Sequence, residues 1–268
     1  MKNNNEISQK QVTILGIKVL STSTSHLLAS IRGKISHSVT GSHNKKFYIL
    51  TPNPELVLGS MKDSLLKQAL NSSDFSVPDG VGLGYASKFL FGETINIIPG
   101  RKLFMDLIVL ANKKGWKVFF LGGMGKEAEK AAAKLKISYK NIKIETFSGP
   151  KLNNEALPAS DADKNLQKEA VGLINKFSPQ LLFVAFGNPK QEIWIYKNLK
   201  SLNVGGAMAI GGTLRYIAGE SRLPPKWMEK AGLEWLYRLI TEPYRLGRVF
   251  NAFPVFPLRV FWFKVTGL

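Results

Sequence analysis

Leu181-Leu182-Phe183-Val184-Ala185-Phe186 runs directly into Gly187-Asn188-Pro189-Lys190-Gln191-Glu192-Ile193-Trp194. An apolar run of this length without alternation reads as a strand buried on both faces. Glycine and proline then break it, and residues 189–199 carry the pattern of a helix. The same unit recurs on either side. Short apolar strands are expected at 47–50, 75–77, 118–121, 142–147 and 205–210, and helices at 55–70, 101–114, 126–136 and 163–177. No hairpin signal separates these strands. The reading is an α/β, Rossmann-like fold, a parallel sheet covered by helices on both faces. Ligands of such sheets bind beyond the carboxyl ends of the strands, so the polar residues just after each strand are the ones to inspect.

Composition narrows the chemistry. The chain has 268 residues, 44% of them hydrophobic, which is enough for a substantial core and excludes a disordered or disulfide-built chain. With no cysteine, thiolate metal sites and cysteine nucleophiles are out. The only histidines are His26, His37 and His43, which argues against a histidine metal site or a Ser-His-Asp triad. Thirty-seven Lys and Arg against 19 Asp and Glu give a net charge of +18. That field suits nucleic acid, an anionic membrane surface or a phosphorylated substrate. The start of the chain lacks the apolar segment of a signal peptide, and no run reaches the roughly 18 apolar residues of a membrane span, so a cytoplasmic protein is expected.

Several strand-end loops carry candidate chemistry. Thr51-Pro52-Asn53-Pro54-Glu55 puts a hydroxyl and a carboxamide at a strand terminus, although Asn53 also reads as a helix cap with Pro54 at the first helical position. Asp79, in Pro78-Asp79-Gly80-Val81-Gly82, is a candidate general base or else a turn aspartate. Gly122-Gly123-Met124-Gly125 forms a loop whose backbone can approach a phosphate or nucleotide. Gly123, Gly125, Ala128 and Glu145 also match a dinucleotide fingerprint, which keeps an NAD-dependent oxidoreductase as an alternative. A basic nucleic-acid-binding module is the other alternative, disfavoured because no known binding motif is evident.

Three segments are expected: a disordered tail at 1–11, a core at 12–221 and a basic, aromatic, helical appendage at 222–268. The appendage holds Trp227, Trp235 and Trp262 and is interrupted by Pro243, Pro254 and Pro257. Arg238, Arg245 and Arg248 would share one face of a near-continuous helix, a stripe suited to a pyrophosphate. The interleaved aromatics read as an interfacial membrane element or as an ordinary packing face.

Thr51-Pro-Asn53-Pro-Glu55, Asp79-Gly-Val-Gly82, Gly187-Asn-Pro-Lys-Gln191-Glu-Ile-Trp194, Gly211-Gly-Thr213 and Gly232-Leu-Glu-Trp-Leu-Tyr-Arg238 with Glu242-Pro243 and Arg245 resemble the WecG/TagA/CpsF glycosyltransferase family, in order from about Val12 to Arg259. The resemblance implies an inverting, metal-independent hexosyltransferase. It would move a sugar of the N-acetylmannosamine type from a UDP-sugar to an undecaprenyl-diphosphate-linked acceptor, for cell-wall or surface polysaccharide. It implies no cofactor, no nucleic-acid partner, a peripheral position on the inner face of the membrane, and a possible homo-oligomer. Carried over, Asp79 is the base; Thr51, Asn53 and Gln191 line the donor pocket; and Arg238, Arg245 and Arg248 hold the lipid diphosphate. Three positions depart from the family pattern. Ile97 stands where an arginine is usual, with Arg101 the candidate substitute in donor binding. Lys102 and Arg215 stand where acidic residues are usual.

Overall fold

The computed structural model describes residues 10–39, 46–225, 227–228, 234–241, 247 and 250–267. The tail expected before Lys10, and Arg245 and Arg248, lie outside the described residues.

The expected sheet is present. Strands β3 (Phe47–Leu50), β4 (Phe75–Ser76), β5 (Lys117–Gly122), β6 (Lys143–Phe147), β7 (Leu181–Ala185) and β8 (Gly206–Ala209) form six parallel strands in the order β4-β3-β8-β7-β5-β6. Alternate side chains on each strand enter different cores. Tyr48, Leu50, Phe119, Leu121, Leu182 and Val184 face one side. Phe47, Ile49, Val118, Phe120, Leu181 and Phe183 face the other. Burial on both sides explains why the strands are apolar throughout.

The helices covering the two faces have local causes. Asn53 caps α2 (Pro54–Ser60), its Oδ1 accepting from Leu56 N–H at 2.9 Å, and Asp63 caps α3 (Ser64–Asn71) in the same way. The single helix expected over 55–70 is therefore two, because the Asp63 cap restarts it. Both lie with α4 (Val81–Phe91), α7 (Asp161–Phe177) and α8 (Lys190–Asn198) on the first face. On the second face lie α1 (Thr24–Val39), α5 (Gly100–Lys114), α6 (Glu127–Ser138) and α9 (Thr213–Ala218).

Two elements depart from the sequence expectation. Strands β1 (Gln11–Ile14) and β2 (Ile17–Leu20) form an antiparallel hairpin turned by Leu15 and Gly16, both at positive φ. Asn71 pins it, accepting from Lys18 N–H at 3.0 Å and donating to Gly16 O at 2.9 Å. Helix α1 was not anticipated either; its Ser, His and Gly content hides a stripe of Leu27, Ile31 and Ile35 that is fully buried.

The C-terminal segment contains helices at Glu234–Thr241 and at Phe256–Thr266. Phe256 and Val260 of the last helix are buried within the first core, which also contains Leu56, Val57, Leu83 and Ala86 of α2 and α4. Among the described residues no helix is long and apolar enough to cross a membrane.

Gly122, the last residue of β5, has φ +97°, and a Cβ there would lie 2.8 Å from the Ala185 carbonyl of β7. Gly122→Ala should lower stability by about 2–4 kcal/mol in denaturant melts, combining backbone strain with a backbone clash. At the start of α7, Asp163 accepts from Ser160 Oγ at 2.5 Å and from Lys151 N–H at 2.8 Å. The Ser160 hydroxyl first, and then the Lys151 amide, hold its carboxyl below the ordinary value of 3.8. This stability is complete above that value and is lost as pH falls through the lower folded value. Asp163→Asn should therefore flatten the acid limb of a stability-versus-pH curve below about pH 4.

Candidate active site

Because the strands are parallel, β3, β4, β5, β7 and β8 send their following loops to one rim of the sheet. There they enclose a cleft of about 320 Å³. Thr51 follows β3, Asp79 follows β4, Gly123 and Met124 follow β5, Phe186 to Asn188 follow β7, and Ile210 to Thr213 follow β8. Gly100 and Arg101, at the amino end of α5, close one side; Glu127 of α6 and Arg215 and Tyr216 of α9 close the other. Thus Asp79, Thr51, Asn53, Gly123, Gln191 and Arg101, picked out from separate stretches of sequence, line one cavity.

Asp79 is half-buried and held on two sides. Its own N–H donates to Pro52 O at 2.8 Å, which locks the β3 and β4 loops together. Its Oδ2 accepts from Gly100 N–H at 3.3 Å, at the amino end of a 15-residue helix whose dipole favours negative charge there. A Cβ on Gly100 would sit 3.0 Å from Thr51 Oγ1 and 3.3 Å from Asp79 Oδ2. Glycine leaves α5 room to approach these two side chains, which a methyl group there would press aside by a few tenths of an ångström.

Asn53 has two uses: its Oδ1 caps α2 while the side chain lines the cleft. Gln191 is more fully committed. It is 3% exposed; its Oε1 accepts from Gly211 N–H at 3.0 Å, and its Nε2 donates to Asn188 Oδ1 and Glu192 Oε1, each at 2.8 Å. This one carboxamide joins the β7 and β8 loops. The rest of its motif is structural too. Lys190 donates to Leu152 O at 2.6 Å, and Trp194 is fully buried, with its Nε1 on Gln167 Oε1 at 2.8 Å.

Gly122 is not among the lining residues; it sits behind the rim, where it lets β5 and β7 meet. Ile97 packs against Gly84 of α4, while Arg101 reaches the cleft. Arg238 belongs to the helix Glu234–Thr241, but its side chain lies outside the described residues.

The sequence reading did not place Glu127 or Arg215 in the site, naming Arg215 only as a departure from the family pattern. Glu127 is 5% exposed; its Oε2 accepts from Met124 N–H at 2.9 Å, and its Oε1 lies 3.5 Å from Arg215 Nε. A buried carboxylate thus occupies the amino end of α6, where a dinucleotide enzyme would bind pyrophosphate. That speaks against the NAD reading, and Glu145, exposed on the edge strand β6, is not among the residues lining the cleft. The acid-to-base pairing across Glu127 and Arg215 was invisible because the two residues are far apart in the chain. Among the described residues no cluster of three His, Asp or Glu could hold a metal ion.

The sequence profile of the Glycosyl transferase WecG/TagA/CpsF family matches residues 12–267. The chain belongs to that family. A WecG/TagA/CpsF relative from Bacillus subtilis (strain 168) is 32% identical over 216 residues, covering 79% of this chain and 78% of its own. It is named N-acetylglucosaminyldiphosphoundecaprenol N-acetyl-beta-D-mannosaminyltransferase. A relative of the same name from Staphylococcus aureus (strain NCTC 8325) is 28% identical over 251 residues, covering 93% of this chain and 92% of its own. The WecG/TagA/CpsF glycosyltransferase match therefore takes in the loops of the cleft and the last helix alike.

Gln191→Leu, which leaves the Gly211 N–H and the Asn188 carboxamide without their buried partner, should cost about 2–4 kcal/mol and weaken ligand-induced thermal stabilisation. Gly100→Ala should leave the melting temperature nearly unchanged but cut turnover, as the methyl group pushes Thr51 and Asp79 apart.

Proposed function

We propose that the chain transfers a hexose of the N-acetylmannosamine type from a UDP-sugar to an undecaprenyl-diphosphate-linked sugar, in one inverting displacement. The observation that carries the reading is the Asp79 carboxylate beside Thr51 at the cleft rim, in a chain whose relatives are named for this transfer. The relatives' names specify a beta product, and with an alpha-linked donor that outcome requires inversion.

The acceptor hydroxyl oxygen attacks the anomeric carbon while the bond from that carbon to the diphosphate oxygen breaks. Asp79 takes the hydroxyl proton, and UDP leaves with the bonding pair. Thr51, Asn53, Gly123 and Arg101 hold the donor, with Gln191 fixing the loops around it. Arg101 and the tail arginines Arg238, Arg245 and Arg248 balance the charge of the two diphosphates, the part a metal plays in other transferases. Placed at the inner face of the membrane, the basic aromatic segment 222–268 would bring the lipid-linked acceptor to the cleft.

Asp79→Asn keeps an oxygen acceptor for Gly100 N–H and removes the base. It should lower kcat by about 10²–10⁴ with little change in the donor KM, measured by UDP release on a short-chain lipid-diphosphate acceptor. Unchanged kcat would end the assignment of Asp79. A product of retained anomeric configuration would end the single-displacement mechanism.

A further inference from the structure

Helix α4 starts two residues after Asp79 and carries an apolar face that the fold does not cover. Leu83, Ala86 and Ser87 point into the core, whereas Val81, Tyr85 and Phe89, spaced by four, stand exposed together with Phe91. Tyr85 is 73% exposed. The last helix lies alongside. Phe256 and Val260 anchor it, and Leu258, Phe261, Trp262 and Val265 stand exposed, Leu258 by 68%. The two faces are continuous. Phe89 stacks on Phe261 with ring centroids 6.3 Å apart, and Lys264 sits 4.7 Å over the Phe89 ring while donating to Phe89 O. Among the described residues, most of the large apolar side chains left exposed belong to α4 or to the segment from Phe250 onward.

Basic side chains predominate on the two helices, and Glu93, two residues past Phe91, is engaged by Lys10 at 3.0 Å. Neither helix contains an acidic residue, and Lys88, Arg259 and Lys264 are exposed on them. Exposed Tyr, Phe and Trp interleaved with Lys88, Arg259 and Lys264 match the chemistry of an anionic lipid interface, with rings at headgroup depth and cations on the phosphates.

We propose that α4 is a second, core-borne half of the membrane-docking surface. The bilayer would then touch the catalytic core directly as well as the tail, and α4 would fix the distance and tilt of the Asp79 loop relative to the lipid headgroups. The inference rests on the reading of the acceptor as membrane-linked and extends it to residues outside the tail.

Flotation of the full chain with vesicles of phosphatidylglycerol and phosphatidylethanolamine tests it. Tyr85→Ser should weaken partitioning about fivefold to tenfold, and Tyr85→Trp should strengthen it, with melting temperatures unchanged. Turnover on a soluble short-chain acceptor should be untouched in both variants. The same vesicles made of phosphatidylcholine should bind the wild type more weakly. If both Tyr85 variants float like the wild type while Trp262→Ser does not, the tail docks alone and the proposal fails. If Tyr85→Ser instead dissociates a dimer seen by analytical ultracentrifugation and leaves flotation unchanged, a second copy covers the face, and the proposal is equally wrong. A wild type that floats with no vesicle would remove the membrane reading itself, while leaving the Asp79→Asn result to stand or fall separately.

Discussion

A parallel sheet covered on both faces leaves little open surface except its rims, and every strand of one here delivers its following loop to the same rim. The fully buried side chains of β3, β5, β7 and β8 make any other place for a polar site energetically poor. Chemistry is thus confined to the loops, and the loops must be held still by their own hydrogen bonds. Gln191 does this between β7 and β8, and the bond from Asp79 N–H to Pro52 O does it between β3 and β4. Without these bonds the strands would still pack, but the cleft would have no fixed shape.

Electrostatically the cleft is built from opposed pairs. Asp79 faces the amino end of α5, and Glu127 is placed against Arg215 at the amino end of α6. Similar glycine-bearing turns thus receive their negative charge in different ways. At α6 the anion is the protein's own, which ties down Met124 and orients Arg215 along the cleft wall. At α5 the carboxylate comes from a neighbouring loop and stays half-exposed to whatever enters.

Much of this was legible in the chain. The Leu181–Phe186 run carries its burial in its composition, and the glycine and proline stops that follow the strands mark the rim loops. Asp79 and Thr51 could be singled out because they stand in the loops that follow apolar strands, whereas Arg101 came from the family resemblance, as the substitute for the arginine absent at Ile97. What was not legible depended on contacts across long separations. The Glu127 and Arg215 pair exists only once α6 and α9 pack, a contact also held by Lys130 and Glu220 at 2.6 Å. Gln191 looked like a ligand contact because a saturated carboxamide and an open one are identical in sequence. The β1–β2 hairpin had a weaker signal, alternation of Val12, Ile14, Ile17 and Val19 around Gly16, with Leu15 in place of a typical turn residue. Asn53 both caps α2 and lines the cleft, so its role as a cap does not take it out of the site.

The last helix does more than decorate the surface. Its Phe256 ring comes within 3.9 Å of the position a Cβ on Gly82 would take, and Pro54 Cγ lies 2.8 Å from that same position. The Phe256 ring is therefore wedged against the turns at Pro54 and Gly82, whose chain neighbours Asn53 and Asp79 line the cleft. A chain cut before Phe256 would lose the packing that backs this wall of the cleft.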